Sequence, residues 1–440
     1  MGLFVLQLLG IVLFVGIGVS AVTILGLRYI AYRMAGQPGT LSASDYEAFP
    51  IPIIRFASWK KAIRTLLLAM LFGVGAALIL MRFVYGIGAI SNLSDQFAWG
   101  LWIGVDVMSG IALASGAFVI AAAVHIFRLK RFEPLVRPAI LTGLLGYLLE
   151  FGVMTVEVGR PYNFWQMLIH WEYHSILWAV GICVVVVAGL LFVEFLPVVF
   201  ERLRESEAVT RRVPISSLSH LLKKGWIALV VFGAVLATVH QSSLGAMWVL
   251  VPAKLYPLWY SLYLPVFFWI SALAAGLTMP IVESILSSRA FKRGLELDLL
   301  ADLAKASSVV LLVYLIARGV DLVTRGVWPL IFQPNVQAAA FWLEVGLGVI
   351  VPAILFAIKP LRHRPAVLFN GALMVVLFGI VLNRLNVSMV GIWPYAGYVY
   401  FPSWMEIAVT VTLISFGVIA FGLAVKYLPI FPEEGEHAAH

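Results

Sequence analysis

Charge is scarce in this chain. Only 12% of its 440 residues are Asp, Glu, Lys or Arg, about half the share of a water-soluble domain. Cysteine is nearly missing. The lone Cys183 cannot close an internal disulfide, and one thiol cannot hold an iron–sulfur cluster or a cysteine zinc site. No Walker or dinucleotide glycine motif is present, and the loops are too short for a nucleotide-binding domain. Heptads and low-complexity tracts are absent too. What fills the space is apolar: 62% of residues are hydrophobic and 13% aromatic. That balance excludes an ordinary soluble globule, a disordered chain and a secreted disulfide scaffold. The net charge of +8 is no nucleic-acid footprint, because the Lys and Arg lie in short loops between apolar runs.

A membrane-crossing helix needs about 20 largely apolar residues. Eleven stretches qualify: Leu3–Leu27, Leu66–Ile87, Trp99–Ile126, Ala139–Val158, Ile176–Val199, Gly225–Val249, Trp259–Leu286, Ala306–Val327, Ala338–Ile358, Ala366–Leu382 and Met405–Leu428. The sequence therefore predicts an all-α polytopic membrane protein. The first run is too long for a signal-peptide core, and no basic residue precedes it, so a retained helix is expected. Alternate loops carry the cations: Arg55, Lys60, Lys61 and Arg64; Arg128, Lys130, Arg131 and Arg137; Arg202, Arg204, Arg211, Arg212, Lys223 and Lys224; Arg289, Lys292, Arg293 and Lys305; Lys359, Arg362 and Arg364; and Lys426. The opposite loops hold only Arg160, Lys254, Arg325 and Arg384. Positive charge stays on the cytoplasmic side. The N-terminus is therefore expected outside and the C-terminus inside, in a bacterial inner membrane. A long loop with Gly36, Gly39, Pro50 and Pro52 sets residues 1–61 apart from a membrane domain of 62–432, and the acidic tail 433–440 is expected to be disordered.

Charged side chains inside a bilayer are costly, and functional by default. Asp106 lies about two turns from the outer end of its span. Tyr147, Glu150, Met154 and Glu157 follow i, i+3, i+7, i+10 spacing and form one helical stripe, with Arg160 a turn beyond. His170, Glu172 and His174 occupy the next outer loop, and His240, Gln241, Ser242 and Ser243 the outer half of the sixth span. Asp106, Glu157, Arg160, His174 and His240 thus share the outer end. His125, Glu194 and Glu283 are the inner-half groups. In the second half, Arg318, Asp321 and Arg325 share a face of the eighth span; Glu344 lies near the outer end of the ninth, Asn383 and Arg384 end the tenth, and Glu406 starts the eleventh. These pair off as Arg–Asp and Arg–Glu, which reads as glue between helices. The Trp and Tyr clusters read as interface belts.

The outer group suits a quinone, which needs an apolar slot, hydrogen-bonding groups at its carbonyls and proton donors for reduction. Glu157, Asp106 and His240 are the candidate reacting groups. A cation or proton transporter uses similar residues, but the interruptions at Pro280 and Pro352 form no matched pair. Haem b needs facing histidines, and the two inside spans, His125 and His240, sit at opposite depths. No metal site is apparent.

Several segments carry a likeness: Phe97–Asp106 (FAWGLWIGVD), Leu135–Tyr147 (LVRPAILTGLLGY), Val156–Trp165 (VEVGRPYNFW), Thr238–Gly245 (TVHQSSLG), Tyr256–Leu264 (YPLWYSLYL), Phe341–Val345 (FWLEV), Gly397–Glu406 (GYVYFPSWME) and Tyr427–Pro432 (YLPIFP). On these the chain resembles the NrfD/polysulfide-reductase family of integral membrane subunits, most of all the membrane subunits of hydrogenase-2-type uptake nickel–iron hydrogenases. The resemblance implies two four-helix bundles plus two further helices, without haem. It implies electron exchange between an outer iron–sulfur partner and menaquinone or ubiquinone. A ferredoxin-like subunit and the large and small hydrogenase subunits would then be the partners. Matching motif positions place Asp106, Glu157, Arg160 and His240 near the quinone head group. Gln241, next to His240, and His174 in the outer loop join that set. A proton path from inside would run through Glu194, Glu150 and Tyr147. The first span and its loop depart from the family pattern. Hydrogen itself would be oxidised in a partner, because this chain has no nickel or cluster ligands.

Overall fold

The structure is a computed structural model that describes residues 59–204, 215–291 and 293–431. The expected first span, its loop up to residue 58 and the acidic tail lie outside the described residues. Among the latter, ten helices are long and apolar enough to cross a membrane, and no strand occurs. They are α1 (Trp59–Tyr85), α2 (Trp102–Ile126), α3 (Val136–Glu157), α4 (Ile176–Arg204) and α5 (Ile215–Val249). Then come α6 (Leu264–Phe291), α7 (Leu297–Thr324), α8 (Val336–Ala357), α9 (Pro365–Ala396) and α10 (Trp404–Tyr427). Ten of the eleven expected spans thus appear. In lipid the backbone must satisfy its own hydrogen bonds, so each apolar run becomes a helix.

The chain divides into two compact units. The smaller joins α1 and the turn up to Ser91 with Ser403–Thr412, the start of α10. A capping box opens that helix. The Glu406 N–H donates to Ser403 Oγ at 3.1 Å, and the Ser403 N–H donates to Glu406 Oε2 at 2.7 Å. Two otherwise orphaned donors are satisfied at once.

The larger unit contains two helix rings. In the first, α2 packs on α3, α3 on α4, α4 on α5, and α5 returns to α2. In the second, α6, α7, α8 and α9 close in the same order. These are two four-helix bundles, joined where α6 lies against α2 and α5. The seam is built from small residues, with Ala112, Ala272 and Ala275 around Ile380. Close approach of small residues is what lets helices associate within lipid. Gly348 of α8 and Gly379 of α9 face each other so tightly that a Cβ on Gly379 would stand 2.7 Å from the Gly348 carbonyl oxygen.

Basic loops converge on one face of this unit. Arg131 pairs with Asp302 at 2.7 Å and Arg137 with Glu201 at 2.8 Å. The Arg137 guanidinium also donates to the Pro429 carbonyl at 2.8 Å, and Arg293 stacks on Phe431. On the opposite face the Tyr256 N–H donates to the Gly391 carbonyl at 2.8 Å.

The end of α9 differs most from expectation. The sequence predicts that the span from Ala366 stops at Leu382, before Asn383 and Arg384. The helix instead continues through both to Val390, and a last turn follows at Trp393–Ala396. The polar side chains that look like a terminus are buried and bonded to α6 and α8, so they carry no penalty that would end the helix.

Candidate functional site: a buried acid–imidazole pair in the first bundle

Helix α3 sets the site. Gly143 and Gly146 let it press against Ala117 and Ala114 of α2. That contact turns the stripe at Tyr147 and Glu150 into the bundle, and both residues are buried. From α5, His240 reaches the same spot. Its Nε2 lies 3.4 Å from Glu150 Oε1, and both side chains are 0% exposed. The Tyr147 ring centroid is 5.6 Å from that of His240 and 6.2 Å from that of Phe118. Cys183 of α4 stands within electrostatic range of Glu150 and Tyr147.

The polar atoms here lack hydrogen bonds. Among the described residues, both carboxylate oxygens of Glu150, both ring nitrogens of His240 and both amide atoms of Gln241 have no hydrogen-bond partner. Buried polar groups are nearly always hydrogen-bonded. A cluster kept in that state is poised for something that arrives or for protons that move. Glu194 of α4 is buried, and its oxygens likewise have no hydrogen-bond partner among the described residues. It lies beside Gly233 of α5, since a Cβ there would stand 3.5 Å from Glu194 Oε1. Gly233 precedes His240 by seven residues, about 10 Å of helix rise. Glu194 therefore sits that much nearer the basic face.

The remaining candidates occupy the opposite face or the route to it. Asp106 is half-buried on a π-helical stretch, Trp102–Ser109, where Ser109 Oγ donates to the Gly104 carbonyl at 2.7 Å. π-Helical turns are frequent at functional sites. Glu157 is the last residue of α3, two turns beyond Glu150, and is half-buried. Arg160 is exposed and begins the short helix Pro161–Leu168, whose Met167 lies against Gly181 of α4. His174 is exposed, its ring centroid 4.0 Å from that of Tyr173. The structure thus joins His240 with Glu150 and Tyr147, and keeps Arg160 and His174 at the surface.

The second bundle is the opposite case. Glu344 accepts from Trp259 Nε1 at 2.8 Å and from the amides of Asn383 and Asn386 at 2.7 Å each. Arg384 donates to Asn383 Oδ1 and, at 2.9 Å, to Ser271 Oγ. Asp321 accepts from Ser261 Oγ at 2.7 Å and from Arg325 at 2.6 Å. Both carboxylates are saturated, as expected of glue between helices.

His125 and His240 do not build a bis-histidine haem site with each other. His125 has its ring centroid 5.8 Å from that of Trp226 on α5. Trp226 and His240 are fourteen residues apart on that helix, about 21 Å. Two axial ligands must flank one iron. No group of three or more metal-binding side chains occurs among the described residues.

A profile described as "Polysulphide reductase, NrfD" matches residues 89–394, which contain both bundles and the acid–imidazole pair. The chain belongs to this family. A protein of Nitratidesulfovibrio vulgaris strain Hildenborough is 35% identical over 375 residues, 83% of this chain and 93% of its own length. The "probable Ni/Fe-hydrogenase 2 b-type cytochrome subunit" of Escherichia coli strain K12 is 32% identical over 382 residues, 84% of this chain and 94% of that protein. The "menaquinone reductase, integral membrane subunit" of the same Nitratidesulfovibrio strain is 26% identical over 422 residues, covering 89% and 97%. The NrfD likeness read from the sequence motifs is therefore confirmed.

The sequence does not reveal the pair as a pair. Glu150 and His240 are separately visible as ionisable groups inside spans. Thr142 and Glu283 also meet across two helices, and nothing in the sequence brings them together.

Proposed function

We propose that this NrfD-family chain is the membrane anchor and quinone-reactive subunit of a respiratory oxidoreductase of the uptake nickel–iron hydrogenase type. Electrons would pass from an iron–sulfur, ferredoxin-like partner on the outer face to menaquinone or ubiquinone in the membrane. The large and small hydrogenase subunits would oxidise hydrogen. The observation that carries this reading is the Glu150–His240 contact, buried without hydrogen bonds in an apolar bundle. The names of the two family relatives, one a hydrogenase subunit and one a menaquinone reductase subunit, support it.

Reduction of a quinone to a quinol takes two electrons and two protons. The electrons come from the partner's iron–sulfur centres. The protons must come from groups near the quinone oxygens. Glu150 and His240 provide an acid and an imidazole in contact, able to hold one proton between them and pass it on. Tyr147 packs on the imidazole and fixes its orientation. Asp106, Glu157 and Gln241 line the approach from the opposite face, with Arg160 and His174 at its rim. Protons would enter from the basic, cytoplasmic face past Glu194, in a bacterial inner membrane with the C-terminus inside. Proton uptake there, coupled to electron arrival from outside, conserves energy as membrane potential.

The test is to isolate the complex through a tag on this chain from native membranes. Its partners are identified and menaquinone-analogue reduction is measured. A nickel–iron hydrogenase pair with an iron–sulfur protein, and loss of quinone reduction in Glu150→Gln, are expected. A lone protein with no redox partner would overturn the reading. A molybdopterin or multihaem partner would keep the quinone role and replace hydrogen as the substrate.

A further inference from the structure

The second bundle holds more positive charge than it balances. In its half away from the basic face stand three guanidiniums, Arg318, Arg325 and Arg384, and two carboxylates, Asp321 and Glu344. Asp321 accepts from Arg325 at 2.6 Å, while Arg318 Nη1 stands 3.9 Å from the same carboxylate. Glu344 takes three neutral donors, and Arg384 meets it through Asn383. One carboxylate therefore serves two arginines of α7. The neighbouring α2 does not supply the missing charge. Its Gly104 faces Ser388 and Leu385 of α9, and Asp106, two residues on, lies on the far side of the helix.

The surplus is deep. Arg318 is 2% exposed and Arg384 1%. Arg318 Nη2 donates to the Leu258 carbonyl at 2.5 Å. Its Nε and Nη1, and the Nε of Arg384, have no hydrogen-bond partner among the described residues. Each guanidinium lies over a ring of α6, Arg318 at 5.0 Å from the Phe267 centroid and Arg384 at 3.5 Å from that of Phe268. Tyr314, one turn before Arg318, is buried, with its ring centroid 6.1 Å from that of Phe267. Both guanidiniums act electrostatically on its hydroxyl. Tyr314 and Ser271 line a small cavity whose other walls are apolar, among them Leu311, Val349, Val375 and Ile380. It has room for about one water-sized particle. Ser271 spends its own hydroxyl hydrogen on the Phe268 carbonyl at 2.9 Å and accepts from Arg384.

We propose that Arg318, Arg384 and Tyr314 form a site for one small monovalent anion, chloride, which neutralises the second bundle. The unused hydrogens of the two guanidiniums are donors, and the local charge is positive. A water could accept those hydrogens but would leave the charge, which is costly within a bilayer. A carboxylate or phosphate is too large for the cavity. A halide accepts N–H and O–H donors and cancels the charge in one step. Bound there, it lets Arg318 of α7 and Arg384 of α9 approach the same face of α6 without repulsion. The site stands whether or not the first bundle reduces quinone.

The experiment uses the complex isolated through a tag on this chain, in detergent with potassium gluconate as the salt. Radioactive chloride is added at constant ionic strength, and binding and thermal unfolding are followed together. Saturable binding of one chloride per chain is expected, with bromide competing and gluconate, too large for the cavity, not. The unfolding temperature should rise by about 1–2 °C for each tenfold increase in chloride above its dissociation constant. Tyr314→Phe should weaken binding about tenfold, the loss of one donor to a charged acceptor. Arg318→Met removes the surplus charge, and should abolish both binding and the chloride dependence of unfolding, whatever it does to stability itself. Absence of saturable binding, or binding without a shift in unfolding, overturns the proposal. Binding that Tyr314→Phe or Arg318→Met leaves unchanged sits elsewhere in the complex and overturns it equally. Should Arg318→Met fail to assemble, Tyr314→Phe decides by the same two readouts.

Discussion

His240 Nε2 stands 3.4 Å from Glu150 Oε1, and neither side chain reaches solvent. The two residues come from different helices, ninety positions apart in the chain. Each would cost several kcal/mol if ionised alone in the bilayer. Side by side, a single proton satisfies both. That sharing makes the pair tolerable and able to react.

Removing this acid should cost activity rather than stability. Glu150→Gln should lower quinone reduction by about 10² to 10⁴, the range of a lost general acid. Melting in detergent should stay about level, because glutamine keeps the shape of the side chain and leaves no unpaired charge beside a neutral His240. Parallel assays of turnover and thermal unfolding check both halves. Loss of stability with intact turnover would place Glu150 among the packing groups.

The second bundle should answer in reverse. Glu344→Ala leaves the donors of Trp259, Asn383 and Asn386 without an acceptor. Breaking such a buried network costs about 3–5 kcal/mol. A marked fall in the unfolding temperature is expected, with quinone reduction retained per folded complex. Fluorescence of Trp259 reports the change locally.

Gly379→Val tests the close crossing of α8 and α9. Its Cβ would stand 2.7 Å from the Gly348 carbonyl, and backbone cannot step aside as a side chain can. Overpacking of this kind costs about 1–3 kcal/mol or more. Reduced yield of folded protein and a lower unfolding temperature are expected. Unchanged stability would mean that the two helices separate freely.

Ser403→Ala removes one arm of the capping box at the start of α10. A lost cap costs about 1 kcal/mol. Faster amide hydrogen exchange over Trp404–Glu406 should reveal it, with the remainder of α10 unaffected.

If reduced-minus-oxidised spectra of the isolated chain show a haem b band, His125→Ala together with His240→Ala should leave it in place. His125 of α2 packs on Trp226, which lies about 21 Å along α5 from His240, so the two cannot share an iron. A stoichiometric haem b signal would require axial ligands other than this pair.

How much of this is legible in the sequence varies by residue. The spans expected at Leu66–Ile87 and Met405–Leu428 lie within two residues of the observed Leu66–Tyr85 and Trp404–Tyr427. The end of α9 is not legible. Asn383 and Arg384 read as a helix terminus, but they bond Glu344 and Ser271, which lie 39 and 113 positions away. Tyr147, Glu150, Met154 and Glu157 are recognisable as one stripe from their spacing. Which helix that stripe meets is not. Grouping by depth puts His240 with Asp106 and Glu157 at the outer end, and treats Glu150 as a separate step. The contact between the two appears only once α3 and α5 lie in one bundle.

The division has a physical cause. The free energy of moving a residue from water to lipid adds up along the chain. Apolar run length and loop charge are local quantities of that kind, so the sequence by itself determined the helices, and its motifs determined the family. Whether a buried ionisable group is satisfied depends on donors brought from elsewhere by packing. The sequence shows Glu150, Glu283 and Glu344 as equal anomalies. Only the tertiary structure separates them: Glu344 is saturated by three donors, Glu283 is held at one oxygen by Thr142, and Glu150 is left facing His240.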